Sequence, residues 1–184
     1  MGASDQPAAG HTSAGATLTG ERADLIQTLD KHRGFLLHTV RGLTDEQASQ
    51  RTTVSELCLA GIIKHVTSVE QRWLRFIGEG PSAMGRWDDD AVMRDWLDAF
   101  RMLEGETLSG LIAQYDEVAS QTGELIVALP DLDASQPLPQ APWYEPGARW
   151  SARRVLLHII AETAQHAGHA DIIRESLDGA KTMG

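Results

Sequence analysis

A single cysteine, Cys58, stands in the chain of 184 residues. One thiol forms no intramolecular disulfide and builds no multi-cysteine zinc site, so neither staple holds this fold, and a reducing compartment is implied. Basic charge is also scarce. Sixteen Lys and Arg stand against 26 Asp and Glu, a formal charge of −10, and lysine is confined to Lys31, Lys64 and Lys181. Phosphate binding needs a basic surface, so this balance argues against nucleic acid as a partner and against docking on an anionic membrane. No apolar run approaches the roughly 18 residues of a membrane span. The N-terminus lacks the basic-then-apolar progression of a secretory signal, and a cytoplasmic protein is expected. No segment alternates with period two for long enough to make a convincing strand.

What is present is ordinary globular material, 42% hydrophobic and 23% charged, at a length that suits one domain. Residues 1–17, rich in Ala, Gly, Ser and Thr, read as a disordered leader, and a single domain is expected over 18–184. From Leu18 the apolar period becomes helical. Leu25, Leu29, Leu36, Val40 and Leu43 give one buried face to a helix over 18–42. Thr44-Asp45-Glu46-Gln47 is a capping box for a short turn, and Thr53-Val54-Ser55-Glu56 reads as a second one opening a helix over 53–77. Leu57, Ile62, Val66, Val69, Trp73, Phe76 and Ile77 form its stripe. Asp88-Asp89-Asp90 suits the positive end of a short helix better than a triple-Asp metal site, because adjacent helical side chains diverge. Leu108, Leu111, Tyr115, Val118, Thr122 and Ile126 predict a third long helix over 107–129. Four of the seven prolines fall between Asp131 and Trp150, which reads as a long ordered loop carrying Trp143, Tyr144 and Trp150. Ser151 then caps a fourth long helix over 151–178, closed by Gly179. The fold class expected is all-α, a four-helix bundle.

The last helix carries polar residues where core is due. At 100° per residue, with His158 as zero, Glu162 falls at about 40°, His166 at about 80° and His169 at about 20°. Ile159 and Ile173 flank that quarter, so it is not a solvent face. A buried Glu and His need partners, and a divalent metal satisfies both. His65 leans inward from the second long helix and completes a set of one carboxylate and two imidazoles, with an open position as in catalytic sites. The same residues also fit a core histidine with a hydrogen-bonded ring and a surface i,i+4 pair. Paired Glu-x-x-His motifs are absent, which disfavours a di-iron centre, as is His-Glu-x-x-His. Cys58 lies two turns from His65, about 10 Å along the axis, and reads as a small buried residue.

Lys64-His65-Val66 with Val69-Glu70-Gln71-Arg72-Trp73, and Arg149-Trp150-Ser151 with Leu156-Leu157-His158 and Glu162-Thr163-Ala164-Gln165-His166-Ala167-Gly168-His169-Ala170-Asp171, resemble the second and last long helices of the DinB-like superfamily. The similarity is greatest to the actinobacterial branch with mycothiol S-transferases and mycothiol-dependent maleylpyruvate isomerase-like proteins. The resemblance implies an up-down-down-up four-helix bundle, often a homodimer, with the metal triad mapped onto His65, Glu162 and His166. Imidazole and carboxylate ligands suit Zn²⁺ first and Ni²⁺ second, and the resemblance implies a low-molecular-weight thiol such as mycothiol and transfer of that thiol to an electrophile in detoxification. Relatives often have Gln at the position of His169, and His158 is an additional inward histidine, so either can orient a ligand, move a proton or join the metal shell. Trp150 and Arg153, at the start of the last helix, are candidates for gripping the thiol; their other reading is a core tryptophan and a solvated first turn. A metal- or ligand-binding stress protein without turnover, and a metal-dependent hydrolase, are the alternatives.

Overall fold

Leu25, Leu29 and Leu36 recur along one edge of α1 (Glu21–His38) and are buried there. Equivalent buried edges define α3 (Leu59–Glu79), α5 (Leu108–Ala128) and α6 (Ala152–Asp178). The computed structural model describes residues 18, 20–86 and 89–182; the leader over 1–17 and Asp88 lie outside the described residues. Two short helices, α2 (Asp45–Ser49) and α4 (Asp90–Asp98), and a 3₁₀ turn over Gly80–Met84 fill the connections.

Contacts at the helix ends give the direction of each long element. Arg153 at the start of α6 pairs with Glu21 at the start of α1, and Arg174 near the end of α6 donates to the Thr39 carbonyl just past α1, so these two run parallel. Arg22 donates to the Ile126 and Leu129 carbonyls, which sets α5 antiparallel to α1. His65 meets His166 while Trp73 meets Trp150, so α3 runs against α6. The order is up-down-down-up, and the chain is an all-α bundle of the expected kind.

Two apolar clusters fill the interior. One holds Leu36, Ile62, Val66, Leu111 and Ala170, the other Leu29, Trp73, Phe76, Ile126 and Ile159. Between them every long helix places one polar residue: Arg33, Glu70, Thr122 and Thr163, all buried. Arg33 donates to Glu70 Oε1 and to Asp30 Oδ1, and the Thr122 hydroxyl donates to the same Glu70 oxygen.

Several local expectations are corrected. The second long helix starts at Leu59, not near 53. Thr53 and Ser55 spend their hydroxyls on turn bonds from the Ser55 and Leu57 amides, and the cap is Cys58, whose Sγ accepts from the Gly61 amide at 3.4 Å. Thr52 spends its hydroxyl on the Ile173 carbonyl and Val54, Ser55 and Glu56 are exposed, so this stretch has no apolar helix face to bury and helix formation waits for Leu59. The first helix ends at His38, four residues early, and Val40 is buried by the following turn. The proline-rich loop contains a strand pair where none was expected: Ser135–Pro137 (β1) and Arg149–Ser151 (β2), antiparallel, with Gln136 opposite Trp150. Three-residue strands are too short to show a period-two signal. Asp89 caps α4 through the Ala91 amide, the dipole role read for the acidic run.

Candidate functional site

The α6 quartet meets α3 in the middle of the molecule. His65 Nε2 lies 3.9 Å and His166 Nε2 3.7 Å from Glu162 Oε2. His158 Nε2 stands 3.8 Å from the other carboxylate oxygen, Oε1. One ligand atom from each of His65, Glu162 and His166 lies within 4.8 Å of the others. His169 is outside this trio, its Nδ1 3.5 Å from His166 Nδ1, on the ring edge that turns away from Glu162. His158 therefore flanks the carboxylate, and His169 stands behind a ring whose Nε2 faces the centre.

The electrostatics favour a cation. Among the described residues the charged partners of Glu162 are these three histidines, with no Lys or Arg. The His65 ring holds the Glu162 carboxyl below the usual carboxylate range, with burial opposing. Burial, followed by the neighbouring His65, pushes His166 down to about 4. Burial also lowers His158. At neutral pH the site thus presents the Glu162 carboxylate and the neutral imidazoles of His158 and His166, and a deprotonated carboxylate and imidazole are the states metal ligation requires. Two nitrogens and an oxygen suit Zn²⁺ or Ni²⁺, and bonds of about 2.0–2.2 Å need only a small closing of the observed spacings.

Phe100, absent from the sequence reading, lies on His65 with ring centroids 3.9 Å apart and planes 20° off parallel. Its position depends on Gly61. A Cβ at Gly61, one turn before His65, would overlap the Phe100 carbonyl, a backbone group that cannot swing aside. Gly61→Ala is therefore expected to displace the 99–101 segment, uncover His65 and cost about 1–3 kcal/mol in a urea titration; an unchanged midpoint would refute this packing role.

His65 and Glu162 open onto a cavity of about 540 Å³. Trp73, Trp96, Trp143 and Tyr144 line it, with Met84 and Val92, and Arg72 and His158 add a guanidinium and an imidazole to the wall. The β1–β2 pair anchors the loop that supplies Trp143 and Tyr144. Trp150 lies behind that wall, stacked on Trp73 at 4.7 Å and edge-on to His158 at 5.2 Å. Arg154 covers Trp150, its guanidinium 5.0 Å from the ring centre. Arg153 is not brought to the cavity: it is bonded to Glu21 and Asp133 on the outer surface. Cys58 is buried as the α3 cap, and its Sγ contacts the Phe100 carbonyl at 3.7 Å.

Comparison with known proteins places this architecture. A crystal structure described as the conserved protein of locus from Enterococcus faecalis superposes with a TM-score of 0.62 at 13% identity, covering 89% of this chain and 100% of that one, which shows a shared fold. No curated protein matches the chain. The family model described as mycothiol-S-transferase matches residues 24–179, a span that takes in α1 from Asp24, all of α3, α5 and α6, and the whole His/Glu/His cluster. The chain belongs to the mycothiol S-transferase family of DinB-like proteins.

Proposed function

We propose that this protein is a metal-dependent S-transferase that joins a low-molecular-weight thiol of the mycothiol type to an electrophile. The observation that carries the reading is a half-buried carboxylate, Glu162, faced by three imidazoles and no permanent cation, at the inner end of an aromatic-walled cavity. His65, Glu162 and His166 would hold a divalent ion. The chemistry such an ion supplies when bound is acidification of a thiol ligand, whose ordinary pKa of about 8.5 leaves it protonated at neutral pH.

The remaining work falls to the chain. His158, kept neutral by burial, accepts the thiol proton at Nε2 as sulfur bonds to the electrophilic carbon and the carbon–halogen bond of a haloarene or halobimane breaks, its electron pair leaving with the halide. His169 holds the His166 ring through its Nδ1 edge and so fixes which nitrogen faces the centre. Phe100 and Trp73 keep water from the two sides of the site and lower the local dielectric.

The test is to purify the protein with its native metal, identify that metal by elemental analysis, and incubate it with a haloarene or bimane electrophile with and without mycothiol. Conjugate formation that needs both protein and thiol is expected. Metal binding without conjugation would assign a binding protein, and loss of the electrophile without thiol would assign a hydrolase; either result overturns the transferase reading.

A further inference from the structure

Several arginines of this chain are paired with neighbouring acids. Arg33 holds Glu70 and Asp30, Arg75 holds Glu79, Arg101 holds Asp98, and Arg174 holds Asp178. Arg72 is different. It is half-buried in the wall of the cavity that contains His65 and Glu162, and no described acid or carbonyl pairs with it. Among the described residues the only carboxylate on the same wall is Glu162, which already faces three imidazoles.

Its position is set by the helix. Arg72 follows His65 by seven residues on α3, a rotation of about 700°, so both share one face about 10 Å apart along the axis. Between them the cavity wall is apolar and aromatic, formed by Val69, Trp73, Trp96 and Tyr144. The cavity therefore has a nucleophile end at His65 and Glu162, a flat apolar middle, and a cationic end at Arg72. In a protein of formal charge −10, an arginine kept clear of acids inside a cavity is suited to an anion from outside, and the guanidinium fork matches the two oxygens of a carboxylate.

We propose that the electrophile is a flat, apolar molecule bearing a carboxylate, which Arg72 grips while the reacting carbon points toward His65 and Glu162. The assignment rests on the transferase reading for its chemistry, but its test needs no thiol. Titration calorimetry compares 2-naphthoate with its neutral amide on the metal-loaded protein and again after chelation. Wild type is expected to prefer the carboxylate by about ten- to a hundredfold in both states, as one charge-assisted contact provides. Arg72→Gln should reduce the preference to within about threefold while Arg72→Lys keeps part of it, and Arg75→Gln, whose partner Glu79 lies outside the cavity, should keep all of it. Circular dichroism establishes that each variant is folded.

Equal binding of acid and amide by wild type overturns the proposal. So does a preference that persists in Arg72→Gln but disappears on chelation, since the metal would then be the anion site. A lost carboxylate preference with thiol-dependent conjugation intact removes this inference alone. An intact preference without conjugation removes the transferase reading alone.

Discussion

Replacing Arg33 by methionine is expected to cost about 3–5 kcal/mol of stability, because it strips the counter-charge from a carboxylate that is wholly buried. Glu70 has no exposed surface; one oxygen takes Arg33 and the Thr122 hydroxyl, and the second has no hydrogen-bond partner among the described residues. Without Arg33 only the threonine remains. Glu70→Met should be the milder single change, since Arg33 still reaches Asp30 Oδ1 at 2.9 Å, at a position open to water. The double variant Arg33→Met/Glu70→Met removes both charges and leaves Thr122 bonded to the Val118 carbonyl at 2.9 Å, so it should recover most of the loss. In a chain this long the Arg33→Met loss corresponds to a melting temperature lower by about 6–20 °C. Urea melts of the two singles and the double close a thermodynamic cycle. Strictly additive losses would show that the pair is not a coupled unit.

The pair matters to the site through geometry. Glu70 follows His65 by five residues, about 500° of rotation, so it projects from the opposite side of α3. Its bonds to α1 and α5 fix the rotation of α3 about its own axis, and that rotation aims His65 at Glu162 and His166. A bundle whose interior was entirely apolar could settle with α3 turned by a fraction of a residue at little cost. Here each long helix contributes one polar side chain at the same level, and a turned α3 would strand Glu70.

The same layer shows where sequence reading succeeds and stops. The long helices are legible because Leu25, Leu29 and Leu36, or Leu111, Tyr115 and Val118, repeat at helical spacing whatever lies opposite them. The α6 quartet is legible for a similar reason: His158, Glu162, His166 and His169 fall in one quarter of one helix, and that needs no partner to be seen. Arg33 and Glu70 are harder, because a charged residue is by default a surface residue. A signal does exist. Arg33 lies four residues after Leu29 and three before Leu36, and Glu70 lies between Val66 and Trp73 at the same spacing, so each interrupts a buried stripe at a buried position. Phe100 carries no such signal. It reaches His65 only because the chain after α4 passes over Gly61, a tertiary contact that no local period encodes. The false capping box at Thr53 fails for the converse reason: its residue types are right, but no apolar face follows until Leu59. Likewise β1 and β2 are held by pairing with each other and by the start of α6, where the Ala152 and Arg153 amides donate to the Ala134 and Leu132 carbonyls.

His166→Ala should leave a folded bundle that no longer retains metal. The helix survives because alanine is the best helix former and the site lies mid-helix, away from either cap. The metal is lost because His166 is the buried nitrogen donor on α6 nearest Glu162 Oε2, and removing it leaves His65 and Glu162 facing each other across the gap between α3 and α6. Elemental analysis after dialysis should fall from about one ion per chain to near none, since two ligands on separate helices hold a labile ion poorly. Glu162→Gln should weaken retention less, because the amide oxygen still coordinates, although it no longer neutralises the cation. His38→Ala, exposed on α1, should change nothing. The stability readout follows the same logic. An ion that binds the native state at a hundred times its Kd adds about 2.7 kcal/mol, so chelation should lower the melting temperature of wild type and of His38→Ala and leave His166→Ala unmoved. If His166→Ala kept full occupancy, His166 would not be a ligand. His169, 3.5 Å behind it, and His158, beside Glu162 Oε1, would be the next residues to replace.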